Sequence, residues 1–218
     1  MSLALRRILT VVLLLLGCIG LACGLLAGLL PRLFDADIAR VRRLEPLSYV
    51  AFEDGAPGRE ALIEGRLSER NRPTLEGFIA YRRYAATLSP NGNRTWRQVE
   101  TIQPPLLVEL PGGLVRVSGD YTLSGALERY EQGSLRLDGL RPGAPVIAIG
   151  ELVEGQEGIE LLADTVAAGT RADYLRGASE ASLFFSVFGR TLLVSSSLML
   201  VGGLLLLLHL LRRRRAYP

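Results

Sequence analysis

Apolar and polar residues alternate along this chain in three different rhythms. Two unbroken apolar runs stand near the ends: ILTVVLLLLGCIGLACGLLAGLL over residues 8–30 and TLLVSSSLMLVGGLLLLLHLL over residues 191–211. Neither holds an acid or an arginine. At about 1.5 Å of rise per residue, each makes a helix of roughly 30 Å, the depth of a bilayer's hydrocarbon. A helix that is apolar on every face has no polar side to offer water, so both runs predict membrane spans. Beside them the rhythm becomes helical and amphipathic. Ile38, Val41 and Leu44 follow Phe34 at helix spacing, and Pro46 stops the run, which predicts a juxtamembrane helix over about 34–44. Tyr174, Ala178, Ala181, Phe185 and Phe188 share a face of a second short helix over 173–190. Asp173 suits its N-cap, and Phe184, Phe185 and Phe188 reach the membrane interface as it enters the second span.

Between these helices a period of two takes over. EALIEGRLS, at 60–68, puts Ala61, Ile63 and Leu67 on one face of a strand. GFIAYRRYAATL and RTWRQVETI flank Ser89-Pro90-Asn91-Gly92-Asn93 and predict a hairpin. LLVEL and GLVRVSG flank Pro111-Gly112-Gly113 and predict another. SLRLDGL ends at Arg141-Pro142-Gly143. The largely apolar APVIAIGELVE reads as a strand with both faces buried, and it turns at residues 155–158 into GIELLADTVAAG. The expected fold is mostly β: a small sandwich or partly open barrel of about seven strands between two transmembrane helices, with short juxtamembrane helices.

Charge adds orientation. All 25 basic residues are arginine, and the net charge of +3 hides a division. Residues 31–189 carry 18 arginines against 22 acids, whereas the basic excess flanks the apolar runs, at Arg6, Arg7, Arg190 and Arg212 to Arg215. Arginine collects on cytoplasmic flanks. Both termini are therefore expected in the cytoplasm of a multi-pass protein of the plasma (inner) membrane: 1–7 and the basic tail 212–218 inside, the β-rich domain 31–172 and the helix 173–190 outside. Arg32, Arg40, Arg42 and Arg43 oppose this, diluted by Asp35, Asp37 and Glu45. Two other readings of the first run are a cleaved signal peptide, for which it is long, and a lipoprotein, since Leu15-Leu16-Gly17-Cys18 is a loose lipobox. Ser195, Ser196, Ser197, Gly202 and Gly203 suit a close helix contact, either with the first span or with a second copy in a homo-oligomer. His209 reads as an interfacial residue.

The chemistry within reach is narrow. Cys18, Cys23 and His209 all lie in the apolar runs, so the middle region has no disulfide, thiol nucleophile, histidine base or Cys/His zinc site. No cofactor or metal is expected. Glu151 and Glu154 are the one carboxylate pair that invites an acid–base reading, that of an envelope hydrolase; acids at a strand end are ordinarily solvated. Tyr81-Arg82-Arg83-Tyr84 with Trp96 looks like a basic, aromatic nucleic-acid face. Cross-strand packing of arginine on aromatic rings accounts for it equally, and the outside location disfavours nucleic acid. Asn93-Arg94-Thr95 fits a glycosylation triplet.

At GAPVIAIGELVEG the chain resembles the GIDE, or "beside a membrane", domain family, found in a mitochondrial membrane-anchored RING ubiquitin ligase. The shared features are the strand ending in Gly150-Glu151-Leu152-Val153, the aromatic hairpin with Trp96, the helix feeding a second span, and the order of elements over residues 35–211. The resemblance implies a domain outside the cytosol that binds a membrane or envelope protein partner. Tyr81, Tyr84, Trp96, Gly150 and Glu151 are then the candidate interaction or structural residues. The ligase's zinc-binding RING would follow the second span; here seven residues follow Leu211 and none is a zinc ligand, so no ligase residue is carried over.

Overall fold

The computed structural model describes the backbone of residues 3–89, 91–156 and 158–215, and side chains within them except at 3–7, 32–34, 210–211 and 213–215. Pro90 and Glu157, in two of the expected turns, lie outside the described residues, as do the side chains of Arg6, Arg7, Phe34 and Arg213 to Arg215. The chain divides into two compact units. One comprises residues up to Ala39 and from Ala178 onward, and the other is Arg40–Gly177.

Helix α1 is Leu3–Arg43 and α2 is Tyr49–Glu53. The strands are β1 (Glu60–Leu67), β2 (Ala80–Leu88), β3 (Arg94–Ile102), β4 (Leu106–Leu110), β5 (Gly113–Ser118), β6 (Thr122–Gly125), β7 (Glu128–Gln132), β8 (Leu135–Leu140), β9 (Pro145–Gly155) and β10 (Gly158–Ala168). Helix α3, Arg171–Arg215, follows. The two short helices expected beside the spans are continuous with them. Pro31 lies inside α1; it removes one N–H from the ladder without ending it, a break that membrane helices tolerate.

In the helical unit α1 and α3 run antiparallel through a seam of small residues. A β-carbon added at Gly17 would press on Leu200, at Gly20 on Ser196, at Gly24 on Leu193, at Gly189 on Ala27 and Gly28, and at Gly203 on Leu14. Ser196 is buried there, and Asp35 accepts a 3.0 Å hydrogen bond from the Ser182 hydroxyl further along the same register. Pairing of the second span with the first is therefore the contact that the small residues make. Gly202 faces open space. Ser195 and Ser197 turn their hydroxyls onto Leu192 and Leu193 carbonyls of their own helix. Apart from the seam, both helices expose large apolar side chains, with Leu26 66% and Leu198 68% accessible. Both are long and apolar enough to cross a membrane. A core helix of a soluble protein would bury these side chains instead.

In the other unit, five strands close a barrel. Taken in chain order, β1, β4, β5, β9 and β10 join as first–second–third–fifth–fourth–first. Four joints are antiparallel, and the closing one, β5 to β10, is parallel. This is the connectivity of a five-stranded Greek-key barrel of the OB type. Strand β6 extends it beside β10. The interior is packed with Ile63, Leu106, Val108, Val117, Leu123, Val146, Ala148 and Leu161, together with Tyr121, whose hydroxyl donates to Pro104 C=O at 2.7 Å. Outside the barrel wall, Leu62, Ile147, Ile149 and Ala167 meet Val41, Leu44, Tyr174 and Leu175. Strand β9 is thus buried on both sides, as its unbroken apolar run foretells.

The chain leaves this barrel twice. The first excursion forms the β2–β3 hairpin, whose turn is closed by Ser89 N–H donating to Asn93 C=O at 2.9 Å. The second forms β7 and β8. The two excursions meet along β2 and β8 in a second sheet, ordered β3-β2-β8-β7. Its root belongs to the barrel core through Ile79, Ala80 and Leu140, and its own apolar layer is small: Phe78, Tyr81 and Leu137 with Leu75, Ile102, Tyr130 and Leu135 beside them. The protein is mostly β, as expected, and of the two forms expected it takes the barrel, closed and joined to a second sheet, with ten strands among the described residues rather than about seven. At the start of α3 the capping residue is Thr170. Its hydroxyl accepts from Asp173 N–H at 3.2 Å while its own N–H donates to Asp173 Oδ2 at 3.1 Å, a reciprocal box in which Asp173 is the third helical residue rather than the cap.

Candidate functional site

The five candidate residues fall in three places. Tyr81 is buried in the small apolar layer of the second sheet, its ring tilted 59° to Phe78 at 6.4 Å between centroids. Tyr84 and Trp96 stand on the sheet's opposite face. Gly150 and Glu151 are on the barrel.

The face carrying Tyr84 and Trp96 is built by register. Tyr84 lies opposite Gln98 on β3 and Arg136 on β8, Ala86 opposite Trp96, and Asp138 opposite both Arg82 and Arg129. Because side chains alternate along strands, Arg82, Tyr84, Trp96, Arg94, Arg136 and Asp138 share one side. The Arg136 guanidinium sits 5.0 Å above the Tyr84 ring and that of Arg94 sits 5.7 Å above Trp96. Asp138 ties the face together. It accepts from Arg136 at 2.5 and 3.1 Å and from Arg129 at 2.9 Å. Burial pushes its carboxyl up, but the two guanidiniums outweigh burial and hold it below the usual carboxylate range; the same bonds raise Arg136. Arg94 also reaches Glu131 at 3.6 Å. Arg82 donates to Leu123 C=O, near a polar recess of about 310 Å³ lined by Gln98, Thr101, Gln103 and Thr122. This cross-strand packing of arginine on aromatic rings was legible in part at Tyr84 and Trp96. Arg136, Arg129 and Asp138 were missed, because they come from an excursion some 40 residues further along the chain.

Gly150 is a packing residue. It lies opposite Ala163 where β10 carries a bulge, and a β-carbon there would strike the Ala163 backbone at 2.6 Å. Glu151 lines an open recess of about 600 Å³ with Arg40, Glu60, Asp120 and Asp164. Arg40 donates to Glu60 and, at 2.6 Å, to Asp164, so it anchors the last turn of α1 to the barrel. Arg171 completes that anchorage by donating to Val41 and Arg42 carbonyls at 3.0–3.2 Å. Glu154 lies three residues beyond Glu151, opposite Ile159, and by strand alternation points to the other side of β9. The recess does not bring the two glutamates together. Among the described residues no group of three or more His, Cys, Asp and Glu side chains is placed to hold a metal ion.

No protein-family model matches the chain, and no curated protein matches it. Fold and site define a class: a β-barrel module carrying an exposed Arg–aromatic sheet, in a chain with two helices long and apolar enough to cross a membrane.

Proposed function

We propose that this chain is a two-span protein of the plasma (inner) membrane whose extracytoplasmic β-domain is a binding module for another membrane or envelope protein, and that it is a GIDE-like domain in its kind. The exposed Arg–aromatic face is the observation that carries the binding reading. Tyr84, Trp96, Arg94, Arg129 and Arg136 stand together on a sheet that the barrel core does not need for closure. Aromatic and arginine side chains are the residues that dominate protein interfaces. A face whose arginines are already positioned by Asp138 loses little side-chain freedom on binding.

The helical seam supports the topology. Its register pairs residue 17 with 200 and 24 with 193, which brings the helix ends bearing Arg6, Arg7 and Arg212 to Arg215 to one level. Two basic ends on one side fit the cytoplasmic assignment. The GIDE likeness is carried by the Gly150-Glu151-Leu152-Val153 strand, the Trp96 hairpin and the element order, and it brings no ligase chemistry to these residues.

The test uses the full chain in mild detergent with a photo-crosslinking residue at position 86, opposite Trp96 on the same face. The expected result is one reproducible crosslinked protein, lost in an Arg94→Glu, Trp96→Ala double variant whose barrel amides keep their protection. A chain that yields no reproducible crosslink overturns the binding reading. A C-terminal reporter active outside the cytoplasm overturns the topology.

A further inference from the structure

Strand β3 pairs with β2 on one side, and the sheet order leaves its other side unpaired among the described residues. Two hydrogen bonds fix which backbone groups face that open side. Ser89 N–H donates to Asn93 C=O at the hairpin turn, and Ala86 N–H donates to Ser134 C=O, away from β3. In an antiparallel ladder the N–H and C=O of one residue point the same way. Ala86 therefore turns both groups away from Trp96, its partner across the pair, and Trp96 turns its own to the open edge. The same phase applies at Arg94, opposite Leu88, and at Gln98, opposite Tyr84. The outward row runs from Arg94 through Trp96 to Gln98 and stops where Val99 is the extra residue of a bulge.

We propose that this edge takes an extended acidic segment of the partner protein as a fifth strand beside β3. The inference rests on the binding-module reading above and gives the partner's chemistry. Charge selects the occupant. Segment 94–98 reads RTWRQ, with two arginines and no acid, so a second copy of this chain added at the edge would gather four arginines across one strand pair with no acid among them. Like charges across a strand pair are destabilising and opposite charges stabilising. An incoming strand with acids at alternate positions would place its carboxylates on one face, beside Arg94, with the Trp96 ring as an apolar shelf. The backbone ladder supplies affinity and the arginines select sequence, the division of labour in strand addition. Val99, 42% accessible, lies on the edge strand itself and suits an apolar residue between the acids.

The experiment measures binding of three fluorescein-labelled nine-residue peptides to the full chain in detergent: alternating glutamate and valine, the same peptide with alternate backbone nitrogens methylated, and alternating lysine and valine. The first is expected to bind at least tenfold more tightly than either of the others and to slow amide exchange at Arg94, Trp96 and Gln98. Gln98→Pro, which removes an outward N–H, is expected to weaken it at least tenfold. Arg94→Glu with Arg97→Glu does so without touching the backbone, should the proline variant prove unfolded. Equal binding of the methylated peptide would mean attraction by charge alone and overturns strand addition, as does a Gln98→Pro protein that folds and binds unchanged. A crosslinked partner that persists in Gln98→Pro leaves the module reading standing and removes this one.

Discussion

Strands β9 and β2 are both central in their sheets and keep opposite company. β9 has Val146 and Ala148 in the barrel interior and Ile147 and Ile149 in the outer cluster, so apolar neighbours cover both faces. β2 has Tyr81 in a thin apolar layer on one side and Tyr84 beneath Arg136 on the other. The barrel gains stability from burial and closure, which leave it no long free edge. The second sheet is held at its root by the barrel core and over its exposed face by charge-assisted hydrogen bonds, which are directional but leave side chains accessible. A binding surface needs accessibility, and a scaffold needs burial; on the function proposed above, the two sheets divide these roles.

The largest expected effect tests that division through matched truncations. Ile63 is fully buried in the barrel and Leu137 is fully buried in the second sheet's layer. Ile63→Ala is expected to cost about 3–4 kcal/mol, with a cavity that a closed barrel cannot collapse. Leu137→Ala is expected to cost about 2 kcal/mol, near the lower end for such changes, because an open sheet relaxes more readily. Amide exchange should separate them further. Ile63→Ala exposes β1, β9 and β10 together, whereas Leu137→Ala exposes β2 and β8 and leaves β9 protected. Loss of β9 protection in Leu137→Ala would make the two sheets one cooperative unit and end the comparison.

What was legible in the sequence follows the same line. The barrel strands and hairpin turns were readable because their signals are local: alternation in EALIEGRLS, turn residues between LLVEL and GLVRVSG, an apolar run in PVIAIG. The helical spans were readable from composition alone. The β2–β8 pairing and the parallel β5–β10 closure were not, since each joins strands separated by dozens of residues and neither leaves a local mark. Strands β6 and β7, TLSG and ERYEQ, escaped notice because they are short and polar, with one and no buried residue respectively. Of the site, Tyr84 and Trp96 were legible as aromatics beside arginines, grouped with Tyr81, which proves buried, while Asp138, which organises Arg129 and Arg136, looked like one acid among many.

Asp138 gives the next effect in size. Asp138→Asn removes the charge that holds Arg129 and Arg136, and is expected to loosen the second sheet by about 1.5–2 kcal/mol, the lower end of the range for hydrogen bonds to charged groups. The sign of its pH dependence follows from its carboxyl being held below the usual range. Its contribution is complete above the unfolded value, near 3.9, and is lost as pH falls through the folded value. Acidification below about pH 4 should therefore release Arg136 from Asp138 and loosen the sheet. Trp96 is the protein's one tryptophan, and its emission should report an acid transition that Asp138→Asn lacks. An identical transition in the variant would assign the acid sensitivity to another carboxylate.

The smallest effect on stability belongs to the residue with the largest expected effect on binding. Trp96 is half-buried on the outer face, and its contact with Arg94 is exposed. Exposed contacts of this type contribute about 0.5–1 kcal/mol, so Trp96→Ala should shift the melting temperature only slightly. Barrel amides should keep their protection. Recovery of the crosslinked partner, in contrast, should fall at least tenfold, because the ring is the large rigid element of the face and arginine alone offers no apolar anchor. A variant that melts much earlier would show the aromatic face to be part of the scaffold. A variant that melts normally and keeps its partner would move the binding surface off this sheet and onto the barrel.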